Sequence, residues 1–95
     1  MISNYRPVAL FKLGRLVTTP NARDTLPQDE ILQAIQRHQA GDWGEMETED
    51  RAANERAMAE GTRIFSRYVT KSGIRFWIIT EADRSSTTVL LPEDY

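Results

Sequence analysis

An α+β domain, built as one strand, two helices and then three strands in succession, is what this sequence predicts. Three observations predict it. Apolar residues recur at helical spacing between positions 28 and 60, runs rich in β-branched and aromatic residues take over from position 63, and glycine or proline stands at the junctions. The 95 residues suit a single domain, 1–95, in which the helices cover one face of a three-stranded antiparallel meander.

The first element is VALFKLGRLVTT, residues 8–19, where Val8, Leu10 and Lys12 alternate with Ala9, Phe11 and Leu13 before Gly14 interrupts and Leu16 and Val17 resume. This predicts a strand bent or bulged at the glycine. Pro20 ends it, and with Thr19 as cap it opens one short helical turn that Pro27 closes. The first helix spans about Gln28 to Gln39, with Ile31, Leu32, Ile35 and His38 on one stripe. Asp29 and Glu30 in its first turn and Arg37 and His38 in its last complement the helix dipole, and Gly41 follows as its stop. The second helix spans about Glu49 to Glu60, capped by Thr48 and stopped by Gly61. Met46, Ala53 and Ala57 form its inward side, and the Arg51–Glu55 and Arg56–Glu60 pairs its outward side. RIFSRYVT and IRFWIITE then make a hairpin around KSG, with Gly73 in the turn, and TTVLL supplies the last strand before Pro92.

Composition bounds the function. Forty per cent apolar and 27 per cent charged residues describe a globular chain rather than a disordered one. The absence of cysteine excludes disulfides, thiolate nucleophiles and cysteine-based zinc sites, and it fits a cytoplasmic setting. The longest apolar run, Phe76–Ile79, is far short of the ~20 residues of a membrane span. Lys12 and Arg15 interrupt the N-terminal apolar stretch, unlike a signal peptide. The net charge of −2 is unevenly spread: residues 1–23 carry +4, 24–60 carry −7 and 61–95 carry +1. At pI 5.3 the chain lacks the basic excess of a protein that grips nucleic acid unaided. Its acidic middle suits a basic surface on a protein partner.

Three clusters are candidate sites. In RHQAGDWGEMETED, Trp43 is surrounded by Asp42, Glu45, Glu47, Glu49 and Asp50 with no base between them. The tryptophan either anchors a partner from the surface or folds back as a wedge between the two helices, and the wedge is favoured because it closes a small core. The five acids together with Trp43 form the candidate partner-binding surface, while Asp42 also suits a turn-stabilising role. His38, the only histidine, is expected to be structural, since no second histidine or paired acid stands at metal-ligand spacing. In TEADRSSTT, Glu81 as a base and Arg84 as an anion clamp are weighed against a turn in which Asp83 and Ser85 cap the backbone and Arg84 pairs with an acid; the turn is favoured. Neither a catalytic set nor a cofactor or metal site is expected.

The order of strand, two helices and three strands is shared with ribonuclease toxins of the RelE/ParE type. In that alternative Arg63, Arg67 and Arg75 hold phosphates while Tyr68 or Glu81 moves a proton. A more specific resemblance lies in RHQAGDWG, EGTRIFSRY and WIITEADRSSTTVLLPEDY, spread over about residues 30–95. These words resemble a family of small bacterial plasmid-related proteins, some labelled as a type I restriction subunit. The resemblance implies a mobile-element setting. The expectation is a non-enzymatic accessory protein, monomeric or homodimeric, that inhibits a restriction or CRISPR complex by binding protein. A DNA-binding regulator using the bases of residues 6–23 is the third alternative.

Overall fold

The computed structural model describes residues 9–95. In chain order these form β1 (Arg15–Thr18), α1 (Pro20–Thr25), α2 (Gln28–Gln39), α3 (Thr48–Glu60), β2 (Ile64–Val69), β3 (Arg75–Thr80), β4 (Ser86–Leu90) and a 3-10 turn at Pro92–Asp94. Thr19 caps α1 by accepting from Ala22 N–H, with Pro20 at the first position. α2 has the predicted bounds, and Gly61 stops α3 in the left-handed conformation.

The last three strands form the expected meander, β2 antiparallel to β3 and β3 to β4. β1 adds to the free side of β4 in parallel, so the order is β1-β4-β3-β2 and the sheet is mixed rather than a simple antiparallel meander. The expected strand over 8–19 shrinks to Arg15–Thr18; Val8 lies outside the described residues. The segment before β1 docks on the end of α2, with Leu10 N–H donating to Gln39 O at 2.9 Å and the Gln39 amide to Phe11 O at 2.8 Å. Gly14, at φ +65°, then passes so close to the turn before β4 that a Cβ would meet Arg84 O at 2.4 Å.

The β2 edge is closed by other means. The Asn54 side chain donates to Phe65 O at 2.7 Å and accepts from Phe65 N–H at 3.1 Å, imitating a neighbouring strand. Two residues on, Arg67 N–H donates to Trp43 O and Arg67 O accepts from Glu45 N–H. Blocking an edge in this way prevents edge-to-edge association. It also corrects the expected inward side of α3: Asn54 and Ala57 are buried and Ala53 is exposed. Thr48 is the first helical residue rather than the cap, which is Glu47. The expected i,i+4 pairs do not form: Arg51 donates to Gly44 O and Met46 O, and Glu55 accepts from Trp43.

The core lies between the sheet and α1–α2, where Ala22, Leu26, Ile31, Ala34 and Ile35 pack with Tyr68, Phe76, Ile78, Val89 and Leu91. Leu32, expected on the same stripe, is 54% exposed, because it sits at the margin of the helix face that Ala34 completes. α3 lies along the β2 edge. The sheet face turned away from α2 is called the outer face below.

Candidate functional site

The loop between α2 and α3 is fastened at its root. Trp43 is only 1% exposed and packs with Ala57, Ile64, Phe11, Met46 and Met58, while its indole N–H reaches Glu55 at 3.2 Å. It is therefore the wedge and not a surface anchor, and the partner-binding role expected of its side chain is corrected by burial. Gly44 follows at φ +75°, where a Cβ would sit 1.9 Å from Arg67 O, so only glycine permits this bridge to β2. Asp42 is held by Arg37 at 2.7 and 3.2 Å and accepts from Gly44 N–H. The Arg37 bond draws its carboxyl below the usual aspartate range. Asp50 lies 3.9 Å from Arg67. Glu45, Glu47 and Glu49 remain exposed, with no ion pair to another described residue. Of the six residues expected to bind a partner, three are thus free carboxylates, two are paired acids and one is core.

His38 is fully buried, as a structural role requires. Its Nδ1 lies 2.5 Å from Ser66 Oγ and its Nε2 2.8 Å from Thr80 Oγ1; Thr80 meets Thr87 at 2.7 Å, and Thr87 donates to Leu13 O at 2.7 Å. Because each hydroxyl has one hydrogen, the terminal carbonyl fixes the directions from Leu13 O back to the imidazole Nε2, and the neutral ring sets the last bond, to Ser66. Thr87 donates to Leu13 O, Thr80 donates to Thr87, His38 Nε2–H donates to Thr80, and Ser66 donates to Nδ1. Burial pushes its pKa down to about 3, so the ring is neutral and, with Nε2 donating, is the Nε2–H tautomer. Phe11 and Trp43 stand edge-on to it at 5.2 and 6.0 Å.

The 80–88 turn behaves as a turn. Asp83 accepts from Ser85 N–H, as expected. Arg84, at φ +61°, departs from the expected acid pairing: its guanidinium donates to the carbonyls of Ala57, Thr62, Glu81 and Ala82, tying the turn to the end of α3. Glu81 is paired with Arg63 at 3.2 Å.

The outer face gathers residues far apart in the chain. The pairing of Phe65 with Ile79, Arg67 with Trp77 and Val69 with Arg75 puts all six on that side. Phe65 and Trp77 lie 5.0 Å apart, and Tyr95 stands edge-on to Trp77 at 5.5 Å. Tyr95 is brought there by Asp94, which takes hydrogen bonds from Thr19 at 2.6 Å and Asn21 at 2.7 Å and holds the C-terminal turn. Arg63 donates to the Tyr95 hydroxyl, and Arg67 lies 5.6 Å over Phe65. A hollow of about 280 Å³ opens beside Trp77, bordered by Arg67, Arg75, Val69, Pro92 and Glu45. Arg63, Arg67 and Arg75 share this face as the ribonuclease alternative requires. Tyr68 does not: it is 2% exposed on the inner side, and its hydroxyl donates to Asp42 O at 2.6 Å. Of the bases in residues 6–23, Lys12, Arg15 and Arg23 are exposed, and Arg6 lies outside the described residues.

Sequence reasoning passed over Phe65, Trp77 and Tyr95. For the first two a signal existed, because a hairpin closed by KSG fixes the register and period-two alternation assigns the faces. No local signal places Tyr95. Among the described residues no three His, Asp or Glu side chains converge as metal ligands, and no helix is long and apolar enough to cross a membrane. No protein-family model, curated protein or solved structure matches this chain.

Proposed function

We propose that this protein is a non-enzymatic accessory factor of bacterial mobile elements that docks onto a protein with a basic surface, in the manner of an anti-restriction or anti-CRISPR inhibitor. The observation that carries the reading is the fastened acidic loop. Glu45, Glu47 and Glu49 project from a backbone held by buried Trp43, by the Gly44–Arg67 bridge and by Arg51 on Gly44 O and Met46 O. Fixed carboxylates lose little freedom on binding, and like charges displayed together steer a basic partner. The mobile-element setting rests on the resemblance of residues 30–95 described above. The sealed position of His38 supports a role without acid–base chemistry at that residue.

The test is a double charge reversal, Glu45→Lys with Glu47→Lys, both exposed. A partner recovered from a bacterial lysate and identified by mass spectrometry is purified and titrated against both proteins. The variant is expected to keep its thermal transition and to bind at least about tenfold more weakly, with the difference shrinking at high salt. Unchanged affinity removes the acidic loop from the interface.

A further inference from the structure

The geometry points to a second binding surface: the outer face of the sheet takes single-stranded nucleic acid, with bases stacked along Trp77 and Tyr95 and phosphates held by Arg67 and Arg75. This goes beyond the acidic loop and does not depend on the partner proposed for it.

Three features of the face carry the inference. The first is the row of rings, Phe65, Trp77 and Tyr95, at spacings of 5.0 and 5.5 Å, with Trp77 partly open to solvent and Tyr95 70% exposed. The α-helices pack on the inner face or along the β2 edge, and of the other described elements the Pro92–Asp94 turn touches β3 on this face, where Ile79 and Leu90 are buried beside a partly open Trp77. Aromatic rings on an open sheet are the usual platform for unpaired bases. The second is the placing of the cations. Arg67 faces Trp77 directly across the strand pair, and Arg75 is two residues from Trp77 on the same side of β3. Arg75 has no ion pair with a described residue, and Arg67 has only the 3.9 Å contact with half-exposed Asp50, a pairing that a phosphate readily displaces.

The third is Glu45, at the rim of the same hollow. It repels a ligand that is anionic throughout, which weighs against an acidic peptide. A nucleic-acid strand alternates phosphates with neutral bases, and the amino edge of a base is a donor that a carboxylate accepts. A duplex keeps its bases stacked inside and gives the rings nothing to hold. The sequence alone disfavours a nucleic-acid ligand because its bases are scattered and its pI is 5.3; the fold sets Arg63, Arg67 and Arg75 beside one aromatic row.

The experiment uses the full chain and fluorescence anisotropy with short labelled RNA and DNA oligonucleotides of one mixed sequence, their duplexes, and a glutamate-rich peptide. Single strands are expected to bind at low salt at least about tenfold more tightly than the duplex. RNA and DNA arms identify the preferred sugar, and binding of either supports the site. Trp77→Leu is expected to weaken binding roughly tenfold. Arg75→Ala is expected to weaken it and lower the slope of log affinity against log salt by about one. Arg75 is exposed, so its variant keeps the fold and provides a test even where Trp77→Leu does not. No single-strand binding at low salt, equal affinity for the duplex, unchanged binding by Arg75→Ala, or tighter binding of the acidic peptide each overturns the proposal.

Discussion

On the inner side of the sheet polar groups are hidden, and on the outer side aromatic ones are in view. The inner side buries His38, Ser66, Thr80 and Thr87 completely, each hydrogen-bonded. The outer side leaves Trp77 and Phe65 half-buried and Tyr95 largely exposed, beside Arg67, whose one ion pair is 3.9 Å long, and Arg75, which has none among the described residues. Both sides are built from the same strands by strict alternation. A histidine flanked by hydroxyls resembles catalytic machinery on paper, yet its bonds are all satisfied within the core and solvent cannot reach it. The contrast teaches that chemical type alone does not mark a site; accessibility and unspent bonding capacity do.

Substitutions sharpen the contrast, and the largest effect is expected at Trp43. Trp43→Ala removes the wedge between α2, α3 and β2 and should cost about 3–5 kcal/mol in a urea titration. Trp77→Ala, on the outer side, should cost clearly less, because its ring is only half-buried. Equal losses would erase the distinction between the two tryptophans.

Thr80→Val comes next. It keeps the shape but leaves His38 Nε2–H without an acceptor, and a buried unsatisfied donor costs about 1–3 kcal/mol. A neutral result would mean that the chain from Ser66 to Leu13 O is not needed for stability.

Acid offers a test without mutation. His38 has a folded pKa near 3 against an ordinary 6.5. Above pH 6.5 it is neutral in both states and has no effect. As pH falls below 6.5 the unfolded chain takes up a proton that the folded chain refuses, so stability declines until about pH 3, where the folded ring also protonates. At pH 5 the loss relative to pH 7 should be roughly 2 kcal/mol. The carboxyls of Asp42, Asp83 and Asp94 lie below the ordinary 3.8, so their contribution falls away at lower pH and leaves the window between 5 and 7 to His38. Paired denaturation curves and an NMR titration of the imidazole check this; a ring protonated in the folded state at pH 5 contradicts it.

Asn54→Ala should cost about 1 kcal/mol for the lost bonds to Phe65, and by uncovering the β2 edge it should raise self-association, seen by light scattering. The smallest effect is expected for Arg75→Ala, within about 0.5 kcal/mol of the parent by thermal denaturation, since it removes only exposed surface.

Much of the fold was legible because the signals are local. Thr19 and Pro20 at the start of α1, the α2 stripe between Pro27 and Gly41, and the hairpin around Gly73 each encode their element within a few residues. The acidic loop was legible as charge, but the division of its acids into paired and free was not, because Arg37 and Arg67 arrive from α2 and β2. Asn54 was hidden for a similar reason: between Ala53 and Glu55 it resembles a solvent-facing residue, and only the proximity of Phe65 makes it a strand substitute.

By itself, then, the sequence determined the elements, their order and the single buried-or-exposed ambiguity at Trp43, since backbone propensity and apolar periodicity act over one or two turns. Tertiary structure decided that β1 runs parallel beside β4, that Trp43 is core, that His38 is sealed by two threonines and a serine, and that Phe65, Trp77 and Tyr95 meet on one open face. Those outcomes depend on contacts between residues 12 to 75 positions apart, whose energies arise only once the sheet has closed and the edges have been assigned.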